Sequence, residues 1–176
     1  MLPGLGAHER FIDMTRYQFL IDTYATERLK VMSVWGMFHD EDLPVRPHLE
    51  DARGRSLLEQ FVHQCVSENN WFRSMFQIEA SASPVPPVES REGFQECYAR
   101  DSAIRLAALR AKDDAWWETE VNFFDVPRSR AWIMTRRVAH TAHHRGQQTA
   151  LLRMLGRDVF STYGPTADTG ERVIYR

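Results

Sequence analysis

The sequence has few cysteines, no long apolar run and no secretory leader, and each of these absences excludes a class of protein. Cys65 and Cys97 are the only cysteines, and they lack the CxxC spacing of many zinc-binding and redox motifs. A disulfide scaffold is therefore excluded, and a reducing cytoplasm fits best. No apolar segment approaches the roughly eighteen residues that a membrane span requires. The N-terminus lacks a basic segment followed by an apolar one, so we expect no secretory signal and no membrane partner.

The chain also lacks an excess of charge of one sign. Its 22 Lys and Arg residues nearly balance 24 Asp and Glu residues, which leaves a formal net charge of −2. Nucleic acid is a poor candidate partner because no broad basic surface can form. The length of 176 residues and the hydrophobic content of 43% are typical of a globular protein with one ordinary domain. We therefore expect a single domain over residues 1–176.

Helical periodicity is abundant, and the first half of the chain contains two long segments of it. The first predicted helix covers about residues 9–38 and is followed by an acidic, proline-containing loop over residues 39–54. The second covers about residues 56–78. Its start is marked by a capping box, in which Ser56 caps the helix and Glu59 lies three residues later. Three prolines in the segment that follows prevent the helix from continuing.

The second half of the chain predicts two further helices. One covers about residues 91–117, and the last covers residues 129–155, with Gly156 as a natural stop. Between them, residues 118–129 lose the period and predict an irregular or short extended connection. The turn-rich tail is expected to pack across the helices. Four long helices without a dividing linker favour an all-α fold, a four-helix bundle.

The most informative motif is HTAHHRGQ, over residues 140–147. His140 and His144 are four residues apart, so both imidazoles project from one face of the predicted helix and can bind one metal ion. The Glu of the HExxH motif is missing, so a zinc protease is excluded. A chance pair is the alternative, because the chain contains seven histidines. The motif predicts a metal site whose third ligand lies elsewhere in the chain.

His63 is the candidate third ligand, because it alone of the remaining histidines lies inside a confidently predicted helix. A buried structural histidine would explain its apolar neighbours equally well. With the HxxxH pair, His63 completes three nitrogen ligands, and three protein ligands with an open position are typical of catalytic zinc sites. His143 diverges from His144 by about 100° around the helix, so the two adjacent histidines cannot both face one metal ion well. Cys65 is expected to be a buried thiol.

Other residues near these motifs have simpler interpretations. We expect Arg145 to pair with an acidic residue, although it and Gln147 could instead contact a metal-bound group. Gly146 fits either tight helix packing or the approach of a substrate. No Asp or Glu stands out as a general base. The tryptophans are expected in the core or in a dimer contact, with substrate stacking as the less favoured alternative: Trp71, Trp116, Trp117 and Trp132.

Three stretches of the sequence resemble the DinB family, also called DinB/YfiT-like metalloenzymes: SLLEQFVHQCVSENNWF, VAHTAHHRGQQTALLRMLG and FSTYGPTAD, at residues 56–72, 138–156 and 160–168. The resemblance implies a four-helix bundle in which His63, His140 and His144 bind a divalent metal ion. The resemblance assigns His144 to the site and leaves its neighbour His143 as a helix-contact or surface residue. Arg145 and Gly146 continue the HRG signature of that family. Neutral imidazoles suit Zn, Ni and Fe alike, so the identity of the metal stays open.

The resemblance also implies a function and an assembly. Relatives include S-transferases that use low-molecular-weight thiols such as bacillithiol or mycothiol, so a small-molecule thiol is an expected partner. A metal-dependent hydrolase is the alternative enzyme. A non-catalytic metal-binding stress-response protein and a plain helical interaction protein are the alternatives outside catalysis. Related bundles commonly pair, and this chain carries ten Phe, five Trp and five Tyr, so we expect a homodimer.

Overall fold

The computed structural model describes residues 15–51, 53–162 and 164. It is an all-α four-helix bundle, as the sequence predicts, with one short extra helix and a small hairpin. The α-helices and strands in chain order are α1 (Gln18–Gly36), α2 (Leu57–Trp71), α3 (Arg91–Arg110), α4 (Asp114–Glu118), β1 (Glu120–Phe123), β2 (Val126–Ser129) and α5 (Arg130–Met154), and a short 3-10 helix (Asp40–Asp42) lies between α1 and α2. In the described part of the chain, no helix has the length and apolar character needed to cross a bilayer.

The start of α2 follows the predicted capping box. The Ser56 hydroxyl accepts from the Glu59 N–H at 3.2 Å, and the Glu59 carboxylate accepts from the Ser56 N–H at 2.7 Å. At its other end, α2 widens into a π-helical turn over Phe72–Phe76 and stops at Gln77, which has a left-handed φ of 54°. The predicted end near residue 78 is therefore confirmed.

Two predicted helices have different limits in the structure. Residues 9–14 of the first lie outside the described residues, residues 15–17 form a turn, and α1 ends at Gly36, two residues before the predicted limit. The prediction of one helix over residues 91–117 was wrong, because helix α3 ends at Arg110. The Asp113 carboxylate then accepts from the Trp116 N–H at 2.8 Å and caps the separate helix α4.

The connection before α5 takes the extended form that the sequence allowed. Strands β1 and β2 pair antiparallel, with Glu120 opposite Ser129 and Phe123 opposite Val126. Only two residues, Phe124 and Asp125, join the strands. The hairpin contacts α5 and therefore lies beside the helix that carries the HxxxH pair.

Two aromatic clusters hold the bundle together. In one, Trp35 from α1 stacks on Phe61 from α2 with ring centroids 4.3 Å apart, and Phe94 from α3 packs edge-on at 5.6 Å from Phe61. In the other, Tyr24, Phe72 and the fully buried Trp117 pack with apolar residues of α3 and α5. Helix α5 contacts both α1 and α2. The α2–α5 pair is the part of the bundle that positions the candidate site.

Candidate metal centre

The three predicted histidines meet between α2 and α5. His63 lies in the second turn of α2, and His140 and His144 occupy successive turns of α5. The Nε2 atom of His140 is 3.4 Å from Nε2 of His63 and 3.2 Å from Nε2 of His144. One candidate ligand atom from each residue lies within 4.8 Å of both others. A contact between positions 77 residues apart therefore completes the local HxxxH pair.

These distances fit a bound metal ion. In a tetrahedral site with metal–nitrogen distances of about 2.0–2.1 Å, neighbouring nitrogens are about 3.3–3.4 Å apart. The two Nε2 separations of 3.4 and 3.2 Å match that edge. The cluster contains three imidazoles and, within the residues that the structure describes, neither a carboxylate nor a thiolate. Three protein ligands leave a fourth position for water or substrate.

Burial keeps the histidines in the neutral form that binds metals. His144 is 3% exposed, and His63 and His140 are half-buried. Burial lowers the pKa of His140 to about 3, with the Arg137 guanidinium as the next cause, and lowers the pKa of His144 to about 4. Burial likewise lowers the pKa of His63. All three rings are therefore neutral at pH 7, so protons do not compete with a metal ion for the nitrogen lone pairs.

Gln147 orients His144 through the ring nitrogen that faces away from the site. The Nδ1 atom of His144 lies 2.9 Å from Oε1 of Gln147. An amide oxygen only accepts, so Nδ1 carries the proton and Nε2 presents its lone pair to the other two histidines. The sequence left open whether Gln147 contacts a metal-bound group. In the structure it contacts the candidate ligand His144.

His140 is oriented by an aromatic ring. Its imidazole stacks on the Trp71 indole with centroids 5.8 Å apart and an interplanar angle of 26°. No acceptor among the described residues bonds its buried Nδ1. Stacking on Trp71 therefore constrains this ring in addition to its Nε2 contacts with His63 and His144. The sequence signal for Trp71 was its place two helical turns after His63, but local spacing does not show that its ring reaches α5.

A buried ionic network fixes α2 against its neighbours directly beside the site. The Glu68 carboxylate lies 3.2 Å from Arg105 on α3 and 3.3 Å from Arg137 on α5, and all three side chains are about 1% exposed. The hydroxyl groups of Tyr24 and Tyr98 donate to the same carboxylate at 2.7 and 3.3 Å. Glu68 follows His63 on α2 and Arg137 precedes His140 on α5, so the network sets the register of the two helices that carry the site.

The remaining expectations near the motif have clear outcomes. Arg145 pairs with Glu27 of α1 in the bundle interior, as expected of an acid partner. His143 is exposed, and Cys65 is a buried free thiol whose pKa burial raises far above its usual value. The tight-packing interpretation of Gly146 was wrong, because a Cβ at that position would meet no atom within 4 Å among the described residues.

The tryptophans divide between core and surface. Trp117 is fully buried, as expected of a core residue, and Trp116 is half-buried against it with the rings 5.0 Å apart. Trp132 is 43% exposed, so it is not a core residue. Trp71 is half-buried between α2 and α5, where it contacts a candidate ligand.

An open apolar groove borders the site on the α2 side. Its volume is about 540 Å³, and it is lined mainly by one stripe of α2 that includes Leu58, Val62 and Val66, together with Glu89 from outside that helix. His63 lies in that lining. A ligand in the groove would therefore contact one of the three candidate metal ligands.

Known proteins resemble this chain in sequence and in fold. The family model of the DinB family matches residues 14–172. The uncharacterized protein YrdA of Bacillus subtilis (strain 168) is 30% identical over 94 residues, which are 53% of this chain; the match spans only 55% of YrdA. A crystal structure of a DinB-like protein from Bacillus cereus ATCC 10987 superposes with a TM-score of 0.72 at 20% identity, covering 83% of this chain and 97% of that one. A protein from Exiguobacterium sibiricum 255-15 that is described within the same family superposes with a TM-score of 0.62 at 22% identity, covering 84% and 97%.

Proposed function

The chain belongs to the DinB family, and from this premise we propose that it binds one divalent metal ion through His63, His140 and His144 and uses it in catalysis. The observation that carries the proposal is the convergence of the Nε2 atoms at 3.2 and 3.4 Å, the spacing of nitrogens around one ion. Neutral imidazole accommodates Zn, Ni or Fe. The low pKa values of the histidines and the contact from Gln147 support ligation, because both leave lone pairs available at neutral pH.

Thiol transfer suits the site better than hydrolysis does. A bound metal ion supplies Lewis acidity and lowers the pKa of a thiol or water in the open position. Among the described residues, the histidine cluster contains no carboxylate that could act as a general base. A thiol with a pKa of about 8.5 ionises far more readily than water, so it depends less on such a base. We therefore propose an S-transferase that uses a low-molecular-weight thiol, with metal-dependent hydrolysis as the alternative activity.

The two substrates of this proposed reaction are the thiol and the electrophile, and the residues around the histidines suggest where the electrophile binds. The sulfur of the thiol forms a bond to an electrophilic carbon, the leaving group departs with its electron pair, and the thiol proton passes to solvent. The groove lined by Leu58, Val62 and Val66 can hold an apolar electrophile beside His63. The Glu68–Arg137 pair joins the two ligand-bearing helices beside this site.

The test has a binding stage and an activity stage. Zinc or nickel is titrated into metal-free protein, and the loaded protein is then assayed with chloro-aromatic and epoxide electrophiles in the presence of several thiols. One equivalent of tightly bound metal and thiol-dependent consumption of the electrophile support the proposal. Turnover without a thiol would favour the hydrolase. Tight binding with no turnover and no exchangeable water at the metal would indicate a non-catalytic metal-binding protein.

We further propose a homodimer in a reducing compartment such as the cytoplasm. Large apolar side chains are exposed on α1, where Phe19 and Leu29 lie outside the core. Both cysteines are buried free thiols, and a reducing compartment suits them. Light scattering at micromolar concentration should give about twice the chain mass of 20.5 kDa. A clean monomer would contradict the dimer without affecting the metal site.

A further inference from the structure

Four aromatic side chains form a continuous cluster beside the candidate metal centre. Trp71 of α2 packs edge-on against Phe123 and Phe124, with centroid distances of 5.2 and 6.5 Å. Phe123 packs edge-on against Trp132 of α5 at 5.2 Å and against Phe124 at 4.8 Å. We call these four residues the hairpin aromatic cluster. It joins the tip of the β-hairpin to the surface of both ligand-bearing helices.

The tip residue of the cluster is both strained and exposed. Phe124 has a φ of 53°, in the left-handed region that disfavours bulky side chains, and 68% of its surface is exposed. A residue held in this region costs free energy, and an exposed ring recovers little of it by packing. A hairpin tip selected for stability alone would place Gly or Asn there. The structure thus maintains an aromatic ring in solvent at a position where folding does not favour one.

The cluster is directly continuous with the candidate metal ligands. The Trp71 ring that contacts Phe123 and Phe124 also stacks on His140 at 5.8 Å. Phe124 is therefore within two ring contacts of a candidate ligand. Trp132, at the far side of the cluster, is 43% exposed, so aromatic surface faces solvent on both sides of Phe123.

We propose that the hairpin aromatic cluster binds a planar aromatic group of the substrate whose reactive end lies at the metal. This inference rests on the proposed metal-dependent function. Aromatic rings attract one another in edge-to-face or offset geometry beyond the effect of buried area alone. The members of the cluster already meet edge-on, and Phe124 is exposed at the tip, where it can extend this arrangement to a ligand; on Trp132 the Arg128 guanidinium lies over the ring at 5.2 Å from its centroid. The cluster thus selects aromatic over small aliphatic substrates.

Two chelating probes test the selectivity. Acetohydroxamate and 2-naphthohydroxamate share the group that binds a metal, and only the second carries an aromatic ring system. Both are titrated into the zinc-loaded protein, and the ratio of their dissociation constants isolates the contribution of the rings. The test variant is Phe124→Gly, because glycine accepts the left-handed φ without strain. The matched control is Phe160→Gly, since Phe160 is also an exposed aromatic residue, at 67%, and has no ring contact with the cluster in the described part of the chain.

The proposal predicts that Phe124→Gly lowers the preference for the naphthyl probe by about three- to tenfold. Acetohydroxamate binding and the thermal midpoint should not fall, and Phe160→Gly should leave the preference unchanged. An unchanged preference in Phe124→Gly would overturn the proposal, as would an equal fall in both variants. Conversion of a dimer to a monomer with the preference retained would identify the cluster as a subunit contact and also overturn it. Failure of the wild-type protein to bind zinc, nickel and iron, each measured before any hydroxamate is added, would refute the proposed function and with it this inference.

Discussion

Replacing Gln147 tests how the structure orients a candidate metal ligand. The Gln147→Leu variant removes the acceptor that lies 2.9 Å from Nδ1 of His144 while keeping a side chain of similar size. A neutral hydrogen bond contributes about 0.5–1.5 kcal/mol net, which corresponds to about a two- to thirteenfold change in an equilibrium constant. Partners that orient metal-ligating histidines typically contribute about 10–100-fold in metal affinity. Gln147 is exposed and water can take its place, so we expect the lower end, about a tenfold loss of affinity.

The sign of the effect should reverse with a carboxylate. Gln147→Glu places a stronger acceptor against Nδ1–H and raises the basicity of the ring, so zinc affinity should equal or exceed that of the wild type. Competition with a zinc-binding indicator dye at pH 7.5 measures all variants. His143→Ala is the matched control, because His143 is an exposed neighbour on the same helix. Unchanged affinity in Gln147→Leu, or a larger loss in Gln147→Glu than in Gln147→Leu, would refute the orienting role.

Four further predictions rest on the same geometry. His144→Ala should abolish tight metal binding while His143→Ala leaves it nearly intact, and calorimetric titration with zinc or nickel compares them; equal losses would show that the wrong member of the adjacent pair was chosen. Because the pKa values of the two α5 histidines are lowered to about 3 and 4, metal affinity should decline little between pH 7 and 5. Equilibrium dialysis against the metal at each pH measures this affinity. A steep loss of metal binding above pH 5 would contradict the low pKa values. The same shift means that the metal-free unfolded chain binds more protons than the folded one below about pH 6.5, so the free energy of unfolding should fall as the pH decreases from there toward 4. Glu68→Gln leaves two buried arginines without their shared carboxylate and should destabilise the fold by about 3–5 kcal/mol in urea denaturation, whereas a loss below about 1 kcal/mol would contradict the buried network.

The predictions that depended on local chemistry agree with the structure. The Ser56 and Glu59 side chains form the capping box because both partners lie within four residues of each other. The HxxxH pair shares a face because 3.6 residues per turn place positions four apart above one another. Prolines from residue 84 onward prevent the second helix from continuing because they lack the N–H that a helix needs, and the helix ends shortly before them, at the left-handed Gln77. In each case the interaction is decided within one or two helical turns.

The sequence-based predictions were wrong or incomplete where the structure depends on contacts between distant segments or on a single capping residue. The predicted helix over residues 91–117 missed the new cap at Asp113, because the periodicity of the two helices is nearly continuous across the break. Phe124 was not singled out, since nothing in the sequence shows that a hairpin will hold its ring in a left-handed conformation beside the site. The sequence left Gly146 open between tight packing and the approach of a substrate, and only the arrangement of neighbouring helices shows that a Cβ there would meet no described atom within 4 Å.

The sequence by itself determined the helical class, the positions of most helix ends, the HxxxH pair and the family resemblance. Periodicity, caps and motifs all depend on residues that are close together in the sequence. Only the tertiary structure decided that His63 points toward that pair and is not a solitary core histidine. The register of α2 against α5 makes the difference. It depends on the Glu68–Arg137 pair and on the Trp71–His140 stack, which join residues 69 positions apart in both cases. Contacts of that range arise from packing the whole bundle, so local spacing allows them without specifying them.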